Sequence, residues 1–233
     1  MSFTRQSQVI LFLSCAAICS CSQAGHAEEK RLTRVIFFGD SITEIALKPN
    51  GYITRMKATL GERGLGDRFE LIGSGLSGDK IYDLYFRLDE DVLARNPDVV
   101  VIWVGVNDVW HKEKPRTGTD PDKFEKFYGA IVRKLQARRI KVVLCTPMGI
   151  GERTAGNPQD EDLDKYAEIV RSLARKYESP LIDLRSAFRA YNALHNKDNR
   201  ESGILTYDRV HPNDEGNNLI AGEMMRVRAP PVN

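Results

Sequence analysis

Ser41 stands in Phe37-Phe38-Gly39-Asp40-Ser41-Ile42-Thr43, directly after an apolar run, and Asp208-Arg209-Val210-His211-Pro212 lies near the other end of the chain. One segment offers a hydroxyl on a tight strand-to-loop turn. The other offers a carboxylate and an imidazole three residues apart. A serine hydroxyl is a poor nucleophile until an imidazole accepts its proton, and the imidazole needs a carboxylate to hold its tautomer and stabilise its charged form. Asp208 and His211 can pair within one loop; Ser41 must be carried to them by the fold. Attack on a carbonyl also needs donors where the oxyanion develops. The Gly78 N–H, the Asn107 side-chain amide and the Ser41 N–H are three candidates, and loss of one such donor typically costs about 2.7–4 kcal/mol of barrier.

The elements that must position these groups are legible as alternating patterns. Short apolar, β-rich runs cover Arg34 to Phe38, Phe69 to Ile72, Asp98 to Val104, Lys141 to Cys145 and Pro180 to Asp183. Val99 to Val104 has no polar alternate, which marks a strand covered on both faces. Between the runs, Ile81, Leu84, Tyr85, Leu88, Val92 and Leu93 recur near helical spacing, as do Phe124, Phe127, Ile131 and Leu135. Asp162 to Tyr177 and Asn213 to Val227 read likewise, and Gly51 to Leu60 more faintly. Asp120-Pro121 has the form of an N-cap followed by a first-turn proline.

The β-α alternation predicts an α/β fold with a parallel sheet, right-handed crossovers and helices on both sides. Ligand sites of such folds lie at the carboxyl ends of the strands. Ser41, Ser77-Gly78-Asp79 and Gly105-Val106-Asn107-Asp108 each follow a strand, and Asp208 and His211 precede the last helix. All candidates therefore fall on one rim of the sheet.

In these blocks the chain resembles the SGNH (GDSL) hydrolases, esterase and lipase-type acylhydrolases. Gly39-Asp40-Ser41-Ile42-Thr43 matches the nucleophile block, and Gly75-Leu76-Ser77-Gly78-Asp79 and Gly105-Val106-Asn107-Asp108 resemble the two donor blocks. Asp208-Arg209-Val210-His211-Pro212 matches the last. The resemblance implies a three-layer α/β/α sandwich with a five-stranded parallel sheet of flavodoxin-like type. It also implies Ser41 as nucleophile, His211 as base, Asp208 as its orienter, and an oxyanion hole from Ser41, Gly78 and Asn107. One departure is Gly73, where many members carry Asn.

Other polar and aromatic residues carry less. Trp110, three residues after Asn107, is a candidate for lining the acyl pocket or stacking on a sugar face, with packing as its alternative; Tyr52 is a further pocket candidate. Asn107-Asp108 can also serve as turn formers, with Asp108 read as structural support. His111 and His195 sit in polar, charged stretches, and Lys112, Lys114 and Arg116 read as a solvated face or as a lure for an anionic substrate. No pair of histidines or cysteines has metal-ligand spacing, so neither a metal nor another cofactor is expected. Cys145 ends a strand and reads as a buried, inert thiol.

Residues 1–27 read as a sorting signal. Arg5 is the one charge before Glu28, Val9 to Ile18 is almost wholly apolar, and small residues surround Ala27. Cleavage after Ala27, lipidation at Cys21 in the lipobox-like Ile18-Cys19-Ser20-Cys21, and retention as an anchor are three outcomes. The apolar stretch is short of the about 20 residues that span a bilayer. Export to the periplasm or medium is the expectation, with no stable membrane span after processing and a lipid anchor at Cys21 as the variant.

Three of the four cysteines lie in that segment, so a processed chain keeps Cys145 and no intramolecular disulfide. Loss of Arg5 takes the formal net charge from +2 to +1, which gives no reason to expect nucleic acid as a partner. Residues 28–233 suit one domain, with about 70% of the unfolded chain's surface buried. The expected reaction is ester hydrolysis through an acyl-enzyme, on a small-molecule or carbohydrate ester. The absence of a lid signal favours short acyl groups such as acetyl on carbohydrates. A lysophospholipase or thioesterase activity is the alternative within the class. An acyltransferase, or an inactive carbohydrate- or envelope-binding protein, is the alternative outside it.

Overall fold

The computed structural model describes residues 32–113 and 115–226, so the expectations for the N-terminal signal, for Cys21 and for Lys114 lie outside the described residues. Five strands occupy the apolar runs: β1 (Thr33–Gly39), β2 (Phe69–Gly75), β3 (Val99–Trp103), β4 (Lys141–Cys145) and β5 (Leu181–Ile182). They form one parallel sheet in the order β2-β1-β3-β4-β5. Every residue of the central β3 is buried, as its unbroken apolar sequence requires when helices cover both faces. Each large side chain sequestered this way contributes roughly 1.5–3 kcal/mol relative to exposure.

Among the described residues eight α-helices flank the sheet: α1 (Ser41–Ile45), α2 (Tyr52–Glu62), α3 (Ile81–Asp91), α4 (Val106–Trp110), α5 (Pro121–Gln136), α6 (Asp160–Lys176), α7 (Leu184–His195) and α8 (Asp214–Arg226). Helices α3, α5 and α6 pack side by side, and α2, α8 and α7 form a second contiguous group. Right-handed crossovers put these groups on opposite faces, giving the three-layer α/β/α sandwich. The stripe that seats α5 is Phe124, Tyr128, Ile131, Val132 and Leu135, all buried. Asp120 occupies the N-cap position of α5 without a capping bond; its carboxylate instead lies 3.3 Å from Lys123 Nζ.

The segment around Asp183 departs from the sequence reading. The last strand is only Leu181–Ile182, because Asp183 leaves the sheet and caps α7, accepting from the Ser186 N–H at 3.2 Å. Helix α7 itself was not expected. Its inner face buries Arg185 and Asn192 along with Leu184 and Phe188, so polar residues interrupt the apolar stripe that would have announced it.

The strand order reverses direction at β1, so β1 and β3 leave a crevice between their carboxyl ends. Helix α1 crosses the tip of β2 there. A side chain at Gly75 would bring Cβ within 2.2 Å of the Glu44 nitrogen and 2.5 Å of the Asp40 carbonyl oxygen. Glycine at that strand tip is what admits the helix carrying Ser41.

Candidate active site

Ser41 begins α1 directly beyond β1. The preceding Asp40 is the N-cap, its carboxylate accepting from the Ile42 N–H at 3.0 Å. Ser41 Oγ lies 2.9 Å from His211 Nε2, and His211 Nδ1 lies 2.7 Å from Asp208 Oδ2. The other carboxylate oxygen, Oδ1, accepts from the His211 N–H at 2.8 Å and the Val210 N–H at 3.1 Å. Asp208 therefore fixes both the backbone and the ring of the base. Removal from water pushes the Asp208 carboxyl up, but the His211 backbone and ring bonds and the Val210 bond outweigh this and hold it below the usual carboxylate range. It stays ionised, the form that can stabilise an imidazolium.

The expected donors are built into the next two strand-to-helix connections. Gly78 has φ +83° in a turn closed by the Asp79 N–H on the Leu76 carbonyl at 3.2 Å. That left-handed conformation favours glycine. Its carbonyl accepts from Lys80 Nζ at 2.7 Å. Asn107, buried in the first turn of α4, donates one amide hydrogen to the Asp79 carbonyl at 3.1 Å. A primary amide has a second hydrogen to offer. Its neighbour Asp108 is fully buried and accepts from the Ile81 N–H at 3.1 and 3.3 Å. The two donor connections are thus locked to one another through Asp79 and Ile81.

Behind these two connections, Arg87 gathers the strand tips. Its guanidinium reaches the Asp79 carboxylate, the Gly39 and Ser74 carbonyls and the Asp91 carboxylate. The plane also lies 4.5 Å from the Phe38 ring centre, a cation–π contact. Burial pushes Asp79 up against the opposing pull of Arg87. Burial likewise raises Asp40 to about 7, helped by the nearby Asp108 and Asp79 charges, and raises Asp108 to about 7.

The loop bearing Asp208 and His211 has its own anchor, which the sequence reading missed. Glu152 is buried, and its carboxylate accepts from the Ile204 and Leu205 N–H groups at 2.8 Å each, from the Thr206 hydroxyl at 2.7 Å, and from the Thr206 N–H. An isolated bridge pairs Thr206 with Pro212, the Gly151 N–H donates to the Arg209 carbonyl, and Asn213 caps α8 by accepting from the Gly216 N–H. Nothing in the local sequence signals Glu152, because its partners are 52 to 54 residues away.

Tyr52 corrects an expectation. It is fully buried, edge-on to Phe37 and Trp103, with its hydroxyl 3.1 Å from Thr43 Oγ1. It belongs to the core beneath Ser41, its ring fully buried against Phe37 and Trp103, with no face open to a ligand. Trp110 is partly exposed at the end of α4 and tilts over His111. The exposed aromatic beside the imidazole is instead Tyr207, whose ring stacks on His211 at 5.7 Å and 17°.

Lys112 pairs with Asp162 at 2.9 Å and covers the Tyr166 ring. His195 is exposed against Tyr191, and Cys145 is buried, its thiol pushed far up by burial. Leu47 and Ile53 occupy the space that a side chain at Gly73 would take. Among the described residues no histidine, cysteine or acidic cluster has the geometry to hold a metal, and no helix is long and apolar enough to cross a membrane.

Comparison with known proteins shows the family of the chain. A model of the GDSL-like Lipase/Acylhydrolase family matches residues 37–219, a span that runs from β1 into α8. An acetylxylan esterase of Geobacillus stearothermophilus is 28% identical over 216 residues, covering 83% of this chain and 92% of that protein. The solved structure of the acetyl xylan esterase AlAXEase is 56% identical with a TM-score of 0.81, covering 82% of this chain and 97% of that one. LAE5, an alpha/beta hydrolase from the metagenome of Lake Arreo in Spain, is 26% identical with a TM-score of 0.73, over 83% and 93%. Ordered motif blocks, sheet topology and overall similarity converge: the chain belongs to the GDSL-like lipase/acylhydrolase family and is a carboxylic ester hydrolase.

Proposed function

We propose that the protein removes acetyl groups from acetylated carbohydrates of the xylan type, with Ser41, His211 and Asp208 as the catalytic triad. The observation that carries this reading is the continuous line from Asp208 Oδ2 through His211 to Ser41 Oγ, at 2.7 and 2.9 Å. The similarity to acetylxylan esterases supports the choice of acyl group and alcohol.

Ser41 Oγ attacks the ester carbonyl carbon while His211 Nε2 takes its proton. The tetrahedral oxyanion is held by the N–H groups of Ser41 and Gly78 and by the Asn107 amide. The C–O bond to the sugar then breaks, and the departing oxygen takes the proton from Nε2. Water gives a proton to His211 Nε2 and attacks the acetyl carbon; the bond to Ser41 Oγ breaks, Oγ takes the proton back, and acetate leaves.

Acetate release from acetylated xylan, fatty-acid release from a lysophospholipid and thiol release from an acyl thioester, assayed side by side, test the proposal. Turnover is expected on the acetylated glycan and absent in Ser41→Ala. Preference for either lipid-type ester would overturn the substrate class, and equal turnover by Ser41→Ala would overturn the mechanism. Mass spectrometry after a fluorophosphonate probe is expected to place one adduct on Ser41.

We infer also that the protein acts outside the cytoplasm, a reading supported by the apolar run Val9 to Ile18 with its flanking Arg5 and Ala27. Fractionation of expressing cells and the intact mass of the recovered chain check it. A chain beginning at Glu28 indicates cleavage after Ala27, a diacylglyceryl adduct indicates processing at Cys21, and an unprocessed cytoplasmic chain refutes export.

A further inference from the structure

The imidazole that takes the serine proton must return one to the departing alcohol, so the alcohol oxygen lies within hydrogen-bond reach of His211 Nε2. Whatever is attached to that oxygen extends past the histidine side of the site, away from Gly78 and Asn107. The exposed aromatic surface there is Tyr207. The residue is 60% exposed while its ring stacks on the imidazole. Its backbone is held by the bond from its N–H to the His211 carbonyl at 3.0 Å, beside the Thr206–Pro212 bridge.

Tyr207 also walls a groove of about 260 Å³. Lys48, Pro49 and Asn50 form one bank, and Tyr207, Pro212 and Asp214 the other. The groove is smaller than the about 300–1,000 Å³ usual for drug-sized ligands, and its surface mixes ring faces with amide, ammonium and carboxylate groups. The two banks are cross-linked from behind by Arg55, which donates to the Asn50 carbonyl at 2.7 Å and pairs with Asp214 at 3.1 Å, while also reaching Asn218. A cleft pinned in this way is formed before any ligand arrives, which lowers the ordering cost of binding.

We propose that this groove is a subsite for the glycan chain on the leaving-group side, with the Tyr207 ring as platform for the sugar next to the scissile ester. The inference rests on the reading of the protein as a carbohydrate esterase. An aromatic face with an apolar body and a polar tip suits a sugar ring, whose axial C–H groups are apolar and whose hydroxyls need donors and acceptors around the edge. Lys48, Asn50 and Asp214 supply both kinds. The groove thereby makes the enzyme selective for the alcohol, independently of the acyl group.

The test compares 4-nitrophenyl acetate with an acetylated xylooligosaccharide in wild type, Tyr207→Ala and Lys48→Trp, the last narrowing the far bank. Both variants are expected to lose about tenfold more kcat/KM on the oligosaccharide than on the aryl ester, mostly through KM. Unacetylated xylooligosaccharide is expected to inhibit wild-type hydrolysis of the aryl ester, and to inhibit both variants less. Equal losses on the two substrates would mean that Tyr207 acts only on the triad, and would overturn the subsite. Inhibition unchanged in both variants would overturn it as well. Wild-type hydrolysis of the aryl ester with none of the oligosaccharide would refute the carbohydrate reading and the subsite together, whereas subsite failure alone leaves wild-type oligosaccharide turnover intact.

Discussion

Arg87 and Asp79 form an ion pair at 2.6 Å, with side chains only 13% and 14% exposed, directly behind the loop that offers the Gly78 N–H. The same guanidinium donates to the Gly39 carbonyl at 2.7 Å, at the end of the strand that delivers Ser41. The strand that delivers Ser41 and the loop that carries Gly78 are therefore held by one cation.

Arg87→Ala leaves the Asp79 carboxylate and two strand-tip carbonyls without this donor. Breaking one side of a largely buried pair costs about 3–5 kcal/mol, so urea denaturation is expected to show a loss of about 3 kcal/mol or more. kcat is expected to drop with KM little changed, because the donors move and the alcohol groove does not. Arg87→Lys keeps the charge but not the planar fork, and is expected to recover part of the stability and little of the rate.

Asn107→Ala removes one proposed oxyanion donor and the bond to the Asp79 carbonyl. A fall of about 10²–10³ in kcat is expected, read on an aryl acetate. A fall below threefold would assign the oxyanion to the backbone donors alone.

Asp208→Asn keeps an acceptor for the Val210 and His211 N–H groups, so the loop geometry is expected to survive. The imidazole loses the partner that selects its tautomer, and kcat is expected to fall by up to about 10⁴. Near-wild-type turnover in a variant with unchanged melting temperature would remove Asp208 from the mechanism.

The buried Asp40 makes stability depend on pH in the direction opposite to most carboxylates. Its carboxyl rises from 3.8 to about 7 on folding, chiefly through loss of water. The folded state therefore holds a proton that the unfolded state has lost between these values, and the contribution present below about pH 4 disappears as pH rises to about 7. Asp40→Asn keeps a good N-cap and lacks this titration. Its stability relative to wild type is expected to climb across that window, by up to about 4 kcal/mol, and to stay level above it. Denaturant unfolding at pH 4 to 8 measures this; a constant difference would show that Asp40 is ionised throughout.

What could be seen from sequence alone followed from how locally each feature is encoded. Val99–Trp103 announces a central strand because every side chain in it must be apolar. Ser41, Gly78 and Asn107 could be singled out because each sits in a short block beyond a strand, and Asp208 and His211 because they stand three residues apart in one loop before the last helix. Helix α7 was hidden by its buried Arg185, whose guanidinium is satisfied by Asp160, Asp164 and the Met148 carbonyl, partners that become neighbours only in the folded chain. Tyr52 misled because nearness to the rim in sequence says nothing about which way a ring turns. Glu152 left no trace for a related reason: it binds backbone N–H groups, which every residue but proline carries.

Ser41 and His211 meet across 170 residues of chain, the serine at the end of the first strand and the histidine just before the last helix. Local structure can form early, but this contact closes nearly the whole described fold, and contacts between distant residues are slow to form. Reappearance of esterase turnover during refolding from denaturant is therefore a clock for the completed topology, expected to lag the recovery of helical circular dichroism. A collapsed, helix-rich intermediate would give a spectrum and no product.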